Sequence, residues 1–187
     1  ASTGGPAAIR ELLAALPDPC PAAVLIVQHI SPGFELGLAD WLNRELPLDV
    51  RVARRGERLV PGQVRFAPAG YHLAIGPRGT VELDAESPPR QGHRPSADEL
   101  FRSLALSFPA ASAGVLLTGM GSDGVAGLLE LRRAGAPTLV QDESSAAIYG
   151  MPRVALEQGA ADLALPPRQI ARALFGRTGD DGEEAAP

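Results

Sequence analysis

GVLLTGMGSDGVAGLLELRRAG, residues 114–135, decides the fold class. Gly114 to Thr118 is a short apolar run of strand length, and Asp123 to Ala134 follows as a predicted helix, closed by two late arginines and Gly135. A strand that turns through glycines directly into a helix is the building unit of a parallel α/β sheet. Similar units lie on both sides. Upstream, Ala22 to Val27 (AAVLIV) reads as a buried strand ending at Gln28 and His29. Ser31 and Pro32 then suit an N-cap and a first helical position, and Phe34, Leu38, Trp41, Leu42 and Leu46 share one helical face. Downstream, Pro137 to Val140 and Ala161 to Leu165 are predicted strands, each followed by a helix, at Pro152 to Gln158 and Pro166 to Phe175.

Between these units the chain is strand-rich. Val50 to Ala53, Gln63 to Ala67, His72 to Ile75 and Thr80 to Leu83 are short β-type runs separated by Gly-Pro punctuation. They predict a small antiparallel β insertion at about residues 50–85. Ser87 to Arg94 is a Pro/Gly/Arg loop, and Ser96-Ala-Asp-Glu99 offers a capping box for a helix carrying Leu100, Phe101, Leu104 and Phe108. The expected architecture is α/β and three-layered, with a mostly parallel sheet between helices. Residues 1–175 are expected to form one domain, followed by an acidic, disordered tail over 176–187.

Composition narrows the function classes. The 187 residues suit one domain with a sizeable core, and no stretch reaches the ~20 apolar residues of a membrane span. A net charge of −5 argues against a general nucleic-acid surface. All basic residues are arginine, so Schiff-base and Ser-Lys mechanisms lack their amine. The single Cys20 excludes an internal disulfide.

Ligands of open α/β sheets gather at the carboxyl ends of strands. Three polar clusters fall there: A-S-T-G-G-P at 1–6, Q-H at 28–29, and T-G-M-G-S-D-G at 118–124. Ser2 sits before two glycines at the start of a predicted helix, where free N–H groups can hold an oxyanion. His29 would serve as base and Asp123 as its orienting acid, a Ser-His-Asp triad. Each has a plainer reading. Ser2 would be an N-cap, His29 a histidine satisfied by a carbonyl, and Asp123 an acid at a helix start. His93 is a rival base, whereas His72, inside a strand, is expected to pack or pair locally. A competing function also exists. Gly119, Gly121 and Gly124 spell G-x-G-x-x-G between strand and helix, with Asp142 about 20 residues on, as in a dinucleotide-binding module. That motif arrives late in the chain and leaves S-T-G-G and Q-H without a role.

Taken together, ASTGGP (1–6), VQHISPGF (27–34), PAGYHL (68–73), HRPSADELF (93–101), GVLLTGMGSDGVAGL (114–128) and QDESSAAIYGMP (141–152) resemble the catalytic domain of the chemotaxis receptor methylesterase family, in the same order. The resemblance implies a cytoplasmic serine hydrolase that demethylates glutamyl methyl esters on chemoreceptors, with receptor-glutamine deamidation as a related activity. It matches the nucleophile to Ser2, the base to His29 and the acid to Asp123. It places Thr3 and Met120 at the oxyanion site, and Arg94 and His93 on the substrate side. No cofactor or metal is implied. The implied partner is the cytoplasmic helical region of a methyl-accepting chemoreceptor, with neither nucleic-acid binding nor membrane insertion. Arg90, Arg94 and the arginines between Arg51 and Arg58 would face its carboxylates, unless they only solubilise their segments. The sequence departs from the family in three respects. The strand that the family places before A-S-T-G-G and the regulatory receiver domain are expected to lie outside this stretch of sequence, which would then be a fragment, and Q-H-I-S stands where Q-H-M-P is usual.

Overall fold

A computed structural model describes residues 1–176. The expected tail is named for 176–187, so all of it but Gly176 lies outside the described residues. Six parallel strands form two three-stranded sheets. In the first, β1 (Val24–Ile26) and β2 (Asp49–Val52) flank β3 (Gln63–Phe66); in the second, β6 (Gly114–Leu116) and β8 (Leu163–Leu165) flank β7 (Thr138–Gln141). The backbone of Ala1 and Ser2 ties one sheet to the other. His29 N–H donates to Ala1 O at 2.9 Å, and Ser2 N–H donates to Thr118 O at 3.0 Å.

Side-chain alternation along the strands sorts the core into two faces. Leu117, Leu139, Val64 and Phe66 pack with α1 (Gly5–Leu13), α2 (Phe34–Glu45) and α6 (Pro167–Phe175). Leu116, Val140 and Ala67 pack oppositely, with α3 (Ala97–Ser107), α4 (Val125–Arg133) and α5 (Met151–Glu157). Neighbouring residues such as Leu116 and Leu117 therefore serve different layers. That is why these strands read as continuous apolar runs rather than alternating ones.

The antiparallel element is present but narrower than the span 50–85. Only β4 (His72–Ile75) and β5 (Val81–Asp84) pair antiparallel, with His72 opposite Asp84. β2 and β3 instead run parallel, Val50 opposite Val64. Glycine and proline mark chain reversal and short crossover alike, so punctuation alone did not separate a hairpin from a parallel connection. Helix α2 also starts later than Ser31-Pro32 suggests: its N-cap is Gly33, in the left-handed region at φ 90°.

Candidate active site

The three polar clusters meet at the carboxyl ends of β1 and β6. Ser2 lies in the turn ahead of α1 and is clamped through its backbone. Besides the Thr118 bond, Ser2 O accepts Gln28 Nε2–H at 2.9 Å and Gly5 N–H at 2.9 Å. Gly119 passes so close that a Cβ there would lie 2.6 Å from Ser2 Cβ. The first glycine of the G-x-G-x-x-G run is thus needed for packing against the Ser2 turn. Gly124 is required for another reason. It caps α4 at φ 92°, and a Cβ there would lie 3.0 Å from Ala97 Cβ. Asp142, the expected ribose acid, instead takes the hydroxyls of Ser144 and Ser145.

His29 follows β1. Its Nε2 lies 2.8 Å from Asp123 Oδ2. A carboxylate only accepts, so Nε2 carries the proton, and the buried Nδ1 has no hydrogen-bond partner among the described residues. That leaves Nδ1 as the nitrogen open to a further proton. Ser2 Oγ is not hydrogen-bonded to it in this conformation; such contacts are often loose without substrate.

Asp123 is 1% exposed and precedes α4. Oδ2 also accepts Ala97 N–H at 2.7 Å, while Oδ1 accepts the Ser96 hydroxyl at 2.5 Å and Asp98 N–H at 3.4 Å. Burial alone would raise its pKa; the bonds from His29, Ser96 and Ala97 overcome this and hold it at about 2. The acid is therefore ionised wherever His29 needs a counter-charge. It also stands at the N-terminus of α3, a helix to which it does not belong. This corrects the reading of Ser96 as the cap of a capping box: Ser96 is the N-cap residue, but its side chain bonds no α3 amide. The amides go to Asp123.

The remaining expected residues gather nearby. Thr3 adjoins Ser2, and Met120, 71% exposed, adjoins Gly119. Neither backbone N–H donates a hydrogen bond among the described residues. Next to His29 opens a cleft of about 190 Å³ whose lining includes Gln28, Glu35, His93 and Arg94. The His93 ring stacks on His29, with centroids 3.8 Å apart and planes 1° from parallel. Burial, then the neighbouring His29, lower its pKa despite the opposing pull of Asp123. Arg94 Nη1 donates to Ala85 O and Ser87 O at 2.8 and 3.0 Å, fastening its loop while the residue borders the cleft. Arg90 pairs with Glu99, outside the cleft lining.

Sequence reasoning missed the supports. Gln28, Ser96 and the buried Glu35, whose carboxylate accepts Ala69 N–H at 3.4 Å, act through contacts between distant segments. Only the adjacency of Gln28 to His29 signalled any of them. Among the described residues no group of three or more His, Cys, Asp or Glu is arranged to hold a metal.

A family model described as CheB methylesterase matches residues 1–174. The chain is 49% identical over 174 residues to a protein-glutamate methylesterase/protein-glutamine glutaminase of Anaeromyxobacter dehalogenans, covering 93% of this chain and 50% of the relative. It is 47% identical over 175 residues to the protein-glutamate methylesterase FrzG of Myxococcus xanthus, covering 94% and 52%. The chain thus spans about half the length of the curated relatives it matches. Among solved structures, the CheB methylesterase catalytic domain of Thermotoga maritima superposes with a TM-score of 0.88 at 35% identity, covering 92% of this chain and 93% of that one.

Proposed function

The chain belongs to the CheB methylesterase family, and on that premise we propose that it is a serine hydrolase demethylating glutamyl methyl esters of chemoreceptors. The observation that carries the reading is the polarised His29. Asp123 fixes one tautomer at 2.8 Å and leaves a buried Nδ1 with no partner among the described residues, on a residue whose backbone N–H donates to Ala1 O next to the clamped Ser2. No dinucleotide role has comparable support, because Gly119 and Gly124 serve packing and Asp142 is bound to its own loop.

In the proposed reaction Ser2 Oγ attacks the ester carbonyl as its proton passes to His29 Nδ1. The imidazolium keeps its Nε2–H on ionised Asp123, which stabilises the charge without taking the proton. Thr3 and Met120 N–H groups receive the oxyanion; losing one such donor typically raises a barrier by about 3 kcal/mol. The tetrahedral adduct collapses, the C–O bond to methoxide breaks, and His29 returns its proton to give methanol. Water, deprotonated by the same nitrogen, then cleaves the acyl-enzyme and frees the glutamate carboxylate and Ser2. The same sequence on glutamine would release ammonia, the second activity in the names of several relatives.

Residues of the cleft wall, Arg94 and His93, are the proposed substrate-side contacts. The proposed place of action is the cytoplasm, on receptor helices; no helix among the described residues is long and apolar enough to cross a membrane. Reaction with a fluorophosphonate tests the nucleophile: one adduct per chain on Ser2 is expected. A chain that stays unlabelled, or is labelled elsewhere, contradicts the reading.

A further inference from the structure

Ser96 is fully buried at the start of α3, a position where serine ordinarily accepts a hydrogen bond from its own helix. Here it does not. Its hydroxyl turns away from α3 and donates across to Asp123 Oδ1 at 2.5 Å. Among the described residues the only other donor to Oδ1 is Asp98 N–H, at a long 3.4 Å.

The Ser96 backbone is itself held from a third element. Its N–H donates to His72 Nδ1 on β4 at 3.3 Å. An accepting Nδ1 puts the neutral ring's proton on Nε2, which donates to Pro88 O at 3.2 Å in the loop before α3. His72 is 2% exposed, so this arrangement is sealed from water. A chain of contacts therefore runs from Pro88 through His72, Ser96 and Asp123 to His29.

From this geometry we propose that Ser96 is a positioning residue for hydrolysis, and that His72 holds it in place. The proposal rests on the hydrolase reading of the site. Ser96 touches neither the cleft nor His29; it acts through Asp123. Oδ2 is shared between Ala97 N–H at 2.7 Å and His29, and the hydroxyl on Oδ1 fixes the plane in which the carboxylate meets the imidazole. Without the hydroxyl, the carboxylate keeps its Ala97 bond at Oδ2 but only a long amide contact at Oδ1, so its plane can turn about the Cβ–Cγ bond. The imidazole then meets its acid in a less fixed direction, as expected when an orienting contact in a buried network is removed.

The test compares the full chain with its Ser96→Ala variant, which removes one oxygen and adds no volume. On methylated receptor, kcat is expected to fall roughly 10- to 100-fold, the range for slight misplacement of a reacting group. KM should be retained, because Ser96 itself does not line the cleft and its hydroxyl points to Asp123. In parallel, the low-field proton resonance of His29 Nε2–H should move or broaden in the NMR spectrum. Ser96→Thr, keeping the hydroxyl, should restore both; if its extra methyl unfolds the chain, the alanine resonance decides alone. Turnover within twofold of wild type, an unmoved His29 resonance, or a folded Thr variant as slow as Ala would overturn the proposal. Failure of the hydrolase reading looks different: the wild type would then release no methanol, while the NMR comparison still decides whether Ser96 anchors Asp123.

Discussion

At the scale of single residues, two histidines that look alike in sequence stand in different chemical positions. His29 has an ionised carboxylate on one nitrogen and a free lone pair on the other, which has no partner among the described residues. His93 contributes a ring face, stacked on His29, and its lowered pKa keeps it uncharged when His29 becomes an imidazolium. It can flatten and shield its neighbour without competing for the proton. We therefore expect His29→Ala to abolish turnover as completely as Ser2→Ala, since groups acting as one unit are not additive. His93→Ala should be milder, and His93→Phe, which keeps a flat ring, milder still. Steady-state kinetics of the three variants check this, and a His93 variant as dead as His29→Ala would exchange their roles. The sequence favours His29 over His93 because only His29 follows a predicted strand. The stacking was not legible there, since 64 positions separate residues 29 and 93 and no local pattern records a contact of that kind.

At the scale of elements, the N-terminus of α3 and the acid before α4 satisfy each other. Asp123 supplies the cap acceptor that Ser96 does not give α3, and α3 supplies the amides that keep Asp123 charged. Burial opposes ionisation here, yet the donors bring the folded value to about 2, below the ordinary 3.8. The ionised form therefore stabilises the fold above the ordinary value, and that contribution fades as pH falls from 3.8 toward 2. The shift corresponds to about 2 kcal/mol. Urea unfolding of wild type and Asp123→Asn should diverge by this amount less near the acid end of that range than at neutral pH; a gap independent of pH would contradict it. The S-A-D-E pattern marked the helix start correctly and misassigned its cap, because a capping box records local spacing while the actual acceptor comes from residue 123.

At the scale of the whole molecule, the parallel α/β architecture was readable from the alternation of apolar runs and helical segments, and the solved relative shares it. What was not readable was membership within it. β2 and β3 are as short and as punctuated as the hairpin strands, and only burial of Val50, Val64 and Phe66 against α1, α2 and α6 assigns them to the main sheet. The three polar clusters were each ambiguous alone; closure of the sheets around Ala1 and Ser2 is what brings them together. The glycine run illustrates the same lesson, since its spacing fits a nucleotide loop while Gly119 in fact clears space for Ser2. The proposed hydrolysis of glutamyl methyl esters at this assembled edge turns on Ser2. Methanol released from methylated chemoreceptor is measured for wild type and for Ser2→Ala of equal thermal stability. Sustained release by the wild type and almost none by the variant is expected; release at the wild-type rate from the folded variant, or none from the wild type, would rule out ester hydrolysis through Ser2.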